Sequence, residues 1–375
     1  SRCRAVPSVG MTSRSASSRL LAAQVRVAAG AVVVFLHPSS AHAALAIART
    51  GLPSAVHVVH RRLSVVQAII TETDREALPR LTVAHAHGRL GLPPALQADV
   101  VVIEVPVEKA AAHQLLYDAA QLLRVGGRCV LAGGTTEGIK PAVRLLEAVF
   151  GTVRVLGHAG GHRVVDAPRG ETLALEAVES RIAPYHDAEA FRELLCELRG
   201  APVRVFTRPG VFSWDHLDEA SALLAETMTV PMQGRVLDLG CGAGVLGAAV
   251  ATHAPQLDVT LVDADSEAVR CAARTMAATG HAAWRALASD VTSAVADERF
   301  DLVVSNPPFH TGKATDLSLP RRFMADAHAV LRPGGRLLLV ANRTLPYELE
   351  LERVFGNRRT VHDGARFKVL EATRR

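Results

Sequence analysis

Arg235-Val236-Leu237-Asp238-Leu239-Gly240-Cys241-Gly242-Ala243-Gly244 decides the fold. It reads as an apolar strand ending beside an acid, followed by a glycine turn that opens a helix. Glycines there allow positive φ and let a ligand approach the backbone closely. About 20 residues on, Leu261-Val262-Asp263-Ala264-Asp265 is a second strand ending in acids, the spacing at which such folds meet ribose hydroxyls. Leu287-Ala288-Ser289-Asp290 gives a third strand-end acid. Asp301-Leu302-Val303-Val304-Ser305 is a fourth strand, and it runs into Asn306-Pro307-Pro308-Phe309-His310. The prolines fix their own φ and hold the preceding residue extended, so Asn306 is presented rigidly past a strand end. Strands alternating with helical patterns predict an α/β fold with a mostly parallel sheet, whose ligands bind at the carboxyl ends of the strands.

The charge at that edge selects the ligand. Gly242-Ala243-Gly244-Val245-Leu246-Gly247 also matches the dinucleotide pattern G-x-G-x-x-G, so a nicotinamide oxidoreductase is one reading. A dinucleotide, however, would bring its pyrophosphate close to the Asp238 carboxylate. S-adenosylmethionine carries a sulfonium and an ammonium and no phosphate, so Asp238 favours it. The expected cofactor residues are Asp238, Gly240, Gly242, Gly244, Asp263, Ala264, Asp290 and Asn306. A rigid Asn oxygen, a neighbouring carbonyl and an aromatic face can accept two hydrogen bonds from a planar amino group and stack on its ring. Asn306, Pro307, Pro308 and Phe309 are therefore the candidate catalytic loop. Read alone, that loop is equally a proline-stiffened turn with a packed Phe; the three acids upstream give it chemistry.

The pattern occurs twice. Gly30–Ala68 set against Gly234–Ala272 gives strand, turn, Ala-rich helix, turn, strand, turn, helix in both, without a gap. Further on, Ala98-Asp99-Val100-Val101-Val102 faces Phe300-Asp301-Leu302-Val303-Val304, and Leu122–Leu131 faces Val330–Leu339. Two copies of one βαβ-type domain follow. In the first copy Leu36, Pro38 and Ser40 stand in place of Gly240, Gly242 and Gly244, and Val34 and Val59 in place of Asp238 and Asp263. This copy should fold alike, bind no cofactor, and serve substrate docking or support. Residues 19–190 and 203–375 are the expected domains, with the boundary near Ser180–Pro202. Glu189–Arg199 reads as a helix stopped by Gly200, and Asp215–Met228 as a helix with an acidic first turn.

The 375 residues are 49% hydrophobic and 21% charged, a globular composition. The five cysteines form no Cys-x-x-Cys pair, which argues against zinc and disulfides and fits a reducing cytoplasm; no metal is expected. No apolar run reaches the roughly 20 residues of a membrane helix. Ala28–Leu36 with Ala41-His42-Ala43 imitates a secretory signal, but strand and helix explain it better. Residues 1–71 hold eight arginines and no acid, leaving 34 basic against 37 acidic residues in the remainder. That asymmetry points to an anionic partner, nucleic acid first. Residues 1–18, rich in Ser and Arg, read as a disordered basic leader.

Residues 205–375 resemble class I S-adenosylmethionine methyltransferases, most closely the bacterial ribosomal RNA guanine-N(2) methyltransferases of the RsmC/RlmG type. The resemblance rests on Pro209-Gly210-Val211-Phe212-Ser213 with Leu217-Asp218, on Asp238–Gly244, on Asn306–His310 and on Gly364-Ala365-Arg366-Phe367-Lys368-Val369. That family also pairs two methyltransferase-like domains, the first degenerate, and Gly133–Lys140 is similar to the first; the Arg/Ser leader and residues 157–169 depart from its pattern. The resemblance implies methyl transfer to the exocyclic amine of a guanine in ribosomal RNA, small subunit favoured. The substrate would be the RNA or a ribosomal subunit, and the enzyme a cytoplasmic monomer. Asn306 and the Pro307 carbonyl would take the two amine protons while Phe309 stacks on the base. Phe212, His310, Lys313, Arg321, Arg322, Arg343 and Lys368 are candidate RNA contacts. Adenine and protein glutamine present the same planar amino group, so the loop alone leaves them open. A non-catalytic RNA-binding protein on a relict fold is the reading that an intact constellation in one copy disfavours.

Overall fold

The computed structural model describes residues 14–76, 78–308 and 318–375. The chain divides between Ala190 and Phe191 into two units. The first holds α1 (Arg14–Gln24), β1 (Val32–Leu36), α2 (His42–Ala48), β2 (Ala55–His60), α3 (Leu63–Asp74), β3 (Leu81–His85), β4 (Ala98–Glu104), α4 (Lys109–Leu122), β5 (Leu123–Gly134), α5 (Ile139–Phe150), β6 (Arg154–Ala159), β7 (His162–Pro168) and α6 (Glu176–Ile182). The second holds β8 (Arg192–Leu198), β9 (Ala201–Thr207), α7 (Glu219–Thr227), β10 (Gly234–Leu239), α8 (Val245–His253), β11 (Leu257–Asp263), α9 (Ser266–Thr279), β12 (Trp284–Ala288), β13 (Phe300–Ser305), α10 (Ser318–Val330), β14 (Leu331–Asn342), α11 (Tyr347–Phe355), β15 (Arg359–Asp363) and β16 (Phe367–Thr373).

The duplication is plain in the sheets. The first has strand order β3-β2-β1-β4-β5-β7-β6, and the second β12-β11-β10-β13-β14-β16-β15. In each, five parallel strands are followed by an antiparallel hairpin. The segment 157–169, unmatched in sequence, lies in β6 and β7, the counterparts of β15 and β16. Strand alternation sends successive side chains to opposite faces. Val236, Val304 and Leu338 pack with α7, α8 and α9, whereas Leu237, Val303 and Leu339 pack with α10 and α11. Helices thus cover both faces, as a mostly parallel sheet requires.

Three expectations need correction. Residues 14–18, placed in a disordered leader, belong to α1. There Ser17 Oγ meets His162 Nδ1 at 2.7 Å and Ser18 Oγ accepts from the Ala43 amide, so these serines are packing residues. Residues 189–199 do not form a helix. Arg199 (φ 54°) and Gly200 (φ 75°) make the two-residue turn of a β8–β9 hairpin, because two consecutive positive-φ residues match the twist of paired strands. This hairpin belongs to the second unit, which therefore starts upstream of residue 203. The helix expected from Asp215 begins at Glu219, where the Asp218 side chain caps it by accepting from the Ser221 amide at 2.7 Å.

Candidate active site

The strand register brings the predicted residues to one edge. Asp238 lies beside Leu261 on one side and Val304 on the other, so Asp263 and Asn306, each two residues further along, flank it. Asp263 pairs with Ala288, which puts Asp290 next in the row. Between these strand ends sits the glycine turn. Gly240, Gly242 and Gly244 have φ of 73°, 53° and 82°, a region that L side chains enter only at a cost. The amides of Gly240 and Cys241 donate to the Val262 carbonyl at 2.9 and 3.0 Å, tying the turn to β11. A side chain at Gly244 would press on Ala272 at 3.1 Å, and one at Gly240 would meet the Phe323 ring at 3.1 Å. Nothing lies within 4 Å of where a Gly242 side chain would begin, so this glycine faces open space.

Asp238 is buried at 1% exposure. Its Oδ2 accepts from the Gly247 amide at 2.8 Å, and its Oδ1 has no hydrogen-bond partner among the described residues. Burial pushes its carboxyl up to about 7, with the nearby Asp263 charge adding to the rise and the Gly247 bond opposing it. An ionised group so placed gains most from a cation. Asp263 accepts from the Gly242 amide and, through its other oxygen, from the Asp265 amide, both at 2.9 Å. Ala264 sits between these two acids. Asp290 carries an ion pair with Arg322 at 2.9 Å.

Asn306 is held in one orientation. Its Nδ2 donates to Asp218 Oδ2 and to Ser221 Oγ, both at 2.9 Å. A carboxylate can only accept, so the amide nitrogen must face Asp218. The Asn306 Oδ1 is left buried and without a partner among the described residues. The preceding Ser305 Oγ donates to the Leu239 carbonyl at 2.7 Å and locks β13 to the end of β10. Pro307 is buried and Pro308 exposed, while Phe309, His310 and Lys313 lie outside the described residues.

The other expected RNA contacts separate. Phe212 is 63% exposed. Arg343 is exposed, with the Gly364 carbonyl at 2.9 Å. Arg321 is paired with Glu350 and Arg322 with Asp290 and Asp326. Lys368 is no surface cation. It faces inward from β16, with its ammonium on both Glu348 oxygens at 2.5 and 2.6 Å and on the Leu345 carbonyl at 2.7 Å. It is 5% exposed, and the pair holds α11 to the sheet edge. Asp218 and Ser221 were missed as partners of Asn306. Their spacing, Asp-x-x-Ser ahead of an apolar run, is a helix-cap signal and carries no hint of a partner 85 or 88 residues away.

The buried, unpartnered Asp238 oxygen beside an open glycine turn fits a cationic, phosphate-free cofactor such as S-adenosylmethionine. Residues 202–371 match the family described as Methyltransferase small domain. Ribosomal RNA small subunit methyltransferase C of Hamiltonella defensa is 44% identical over 277 residues, covering 74% of this chain and 77% of that protein. The Escherichia coli K12 protein of the same name is 36% identical over 274 residues, covering 73% and 75%. The chain belongs to the ribosomal RNA small subunit methyltransferase C family. A solved structure of the T. thermophilus 16S rRNA N2 G1207 methyltransferase (RsmC), in complex with AdoMet and guanosine, superposes with a TM-score of 0.83 at 29% identity, covering 96% of this chain and 92% of that one.

Proposed function

We propose that the second unit transfers a methyl group from S-adenosylmethionine to the exocyclic 2-amino group of a guanine in small-subunit ribosomal RNA. The observation that carries the reading is the pinned Asn306 amide, whose oxygen is buried and unpartnered at the strand edge. S-adenosylmethionine supplies, when bound, a methyl group activated by its sulfonium. Asp238 would hold the cofactor's ammonium, the Gly240–Gly244 turn would admit it to the backbone, Asp263 and Ala264 would take the ribose, and Asp290 the adenine amine. The Asp290–Arg322 pair leaves further lone pairs on that carboxylate for this contact.

The guanine amine is a poor nucleophile because its lone pair is delocalised into the ring. Asn306 Oδ1 and the Pro307 carbonyl accept hydrogen bonds from its two N–H groups and turn the lone pair toward the methyl group, and one of those protons is lost to solvent once the N–C bond has formed. Asp218 and Ser221 set the acceptor before the base arrives, so no reorganisation is needed when charge develops on the nitrogen. Phe309 stacks on a base that has left its helix, a contact worth about 1–3 kcal/mol. The first unit, without the glycine turn and without acids at the positions of Asp238, Asp263 and Asp290, serves docking or support. The enzyme works as a monomer in the cytoplasm.

The test is product identity. The purified protein is incubated with labelled S-adenosylmethionine and unmodified 30S subunits or 16S RNA, and the nucleosides are resolved by mass spectrometry. N2-methylguanosine is expected; methyladenosine, or label only in a protein glutamine, would overturn the substrate assignment.

A further inference from the structure

Around β8, β9 and α9, arginines from the buried Arg208 to the exposed Arg274 lie on aromatic rings. Arg208, Arg270 and Arg274 lie 5.5, 5.4 and 4.9 Å from the Phe191 ring. Arg204 and Arg274 share the Phe206 ring at 5.3 Å each, and Arg192 lies 5.6 Å from Trp214. Ion pairs neutralise only some of them. Glu193 holds Arg204, and the buried Glu267 holds both Arg208 and Arg270. Arg192 and Arg274 form no ion pair among the described residues. Asp215 is hydrogen-bonded to His216 at 2.8 Å, which is the main cause of its lowered carboxyl pKa, and Arg192 adds little.

We infer that this face is a track for the RNA strand flanking the target guanine, with Arg192 and Arg274 as its phosphate contacts. The inference rests on the proposed activity. A guanidinium stacked on a ring keeps its in-plane N–H donors available for a phosphate. Position supports the role. The helix α9 starts just past Asp263 and Asp265, and Glu267, Arg270 and Arg274 fall on one face of it. Arg274 is therefore about 12 Å along the helix from the cofactor edge. Trp214 lies between β9 and Asp218, the residue that pins Asn306.

The fold itself does not require these arginines. In the strand and helix register of the two copies, Glu267, Arg270 and Arg274 correspond to Ser64, Gln67 and Thr71 on α3. The charged stripe is confined to the copy that holds the acids and Asn306.

The experiment compares wild type with Arg192→Gln/Arg274→Gln on the same ribosomal RNA substrate at several salt concentrations. The double variant should raise KM about tenfold or more, with little change in kcat and in S-adenosylhomocysteine affinity. Its log KM against log salt should flatten by about 1.4, since each phosphate contact on a single strand contributes about 0.7. Arg204→Gln, already paired with Glu193, should change the slope less. If the double variant is unstable, each single variant should show half the flattening. A folded variant with unchanged KM and slope overturns the track and leaves the activity standing. A wild type that methylates no guanine in ribosomal RNA overturns the activity and the track together.

Discussion

The two units share their skeleton down to individual ion pairs and differ where the strands end. In the first, Asp99 Oδ2 accepts from the Val32 amide at 2.7 Å and the carboxylate is held by Arg124; in the second, Asp301 accepts from the Arg235 amide at 2.7 Å and is held by Arg332 at 2.8 Å. On the last strands, Asp166 clamps Arg128 and Arg154, and Glu371 clamps Arg336 and Arg359. At the strand ends the likeness stops. Where the second unit turns on Gly240, Gly242 and Gly244, the strand register, one residue off the ungapped sequence alignment, puts His37, Ser39 and Ala41 in the first, with His37 (φ 58°) stacked on His60 at 4.5 Å. Ser39 donates to Glu104 across the gap at 2.5 Å. The scaffold clamps are therefore requirements of the sheet, and the open glycine edge with its unsatisfied oxygens is the part devoted to chemistry.

The largest expected effect breaks that edge. Gly242→Val places a branched side chain in open space at φ 53°, so the chain should fold with a cost of about 1–2 kcal/mol. S-adenosylhomocysteine binding should fall below detection by calorimetry, whereas Ser39→Ala at the corresponding place in the first unit should leave it intact. Retained binding in Gly242→Val would move the cofactor elsewhere.

A smaller effect follows from Asp238, whose carboxyl is raised to about 7. Without cofactor, ionising it costs the fold, so its contribution to stability is full below the ordinary carboxylate value and is lost as pH rises through about 7. Binding a cation reverses the preference. Cofactor affinity should weaken as pH falls below about 7, approaching tenfold per pH unit, with proton release on binding. Asp238→Asn should bind more weakly and lose this pH step. Calorimetry in buffers of different ionisation enthalpy reads the proton; a pH-independent wild type would remove Asp238 from the cofactor's ammonium.

The smallest effect tests the shared skeleton. Asp99→Ala and Asp301→Ala each orphan one backbone donor and should cost about 1–3 kcal/mol. Hydrogen exchange at the Val32 and Arg235 amides should report similar losses. A clear inequality would mean the two clamps are not equivalent.

Much of the fold was legible because strand period and turn chemistry agreed over Arg235–Gly244, Leu261–Asp265 and Asp301–Asn306. The β8–β9 hairpin was not, since Leu194, Leu195 and Leu198 also fit a helical period and Gly200 imitates a helix stop. The strand-end acids and Asn306 were legible from their order along the chain. The orientation of Asn306 was not, because Asp218 and Ser221 reach it only through tertiary packing. Lys368 misled for a related reason: sequence shows a cation and cannot show that Glu348 meets it inside the sheet edge.

Asn306→Ala tests the central claim most directly, read as methyl transfer to ribosomal RNA alongside calorimetric titration with S-adenosylhomocysteine. Losing a positioned acceptor that acts mainly as charge develops should lower turnover about 10²–10³-fold, with one cofactor still bound per chain at near wild-type affinity. Wild-type turnover in Asn306→Ala would contradict the account, because the amine would then be positioned by something other than this oxygen.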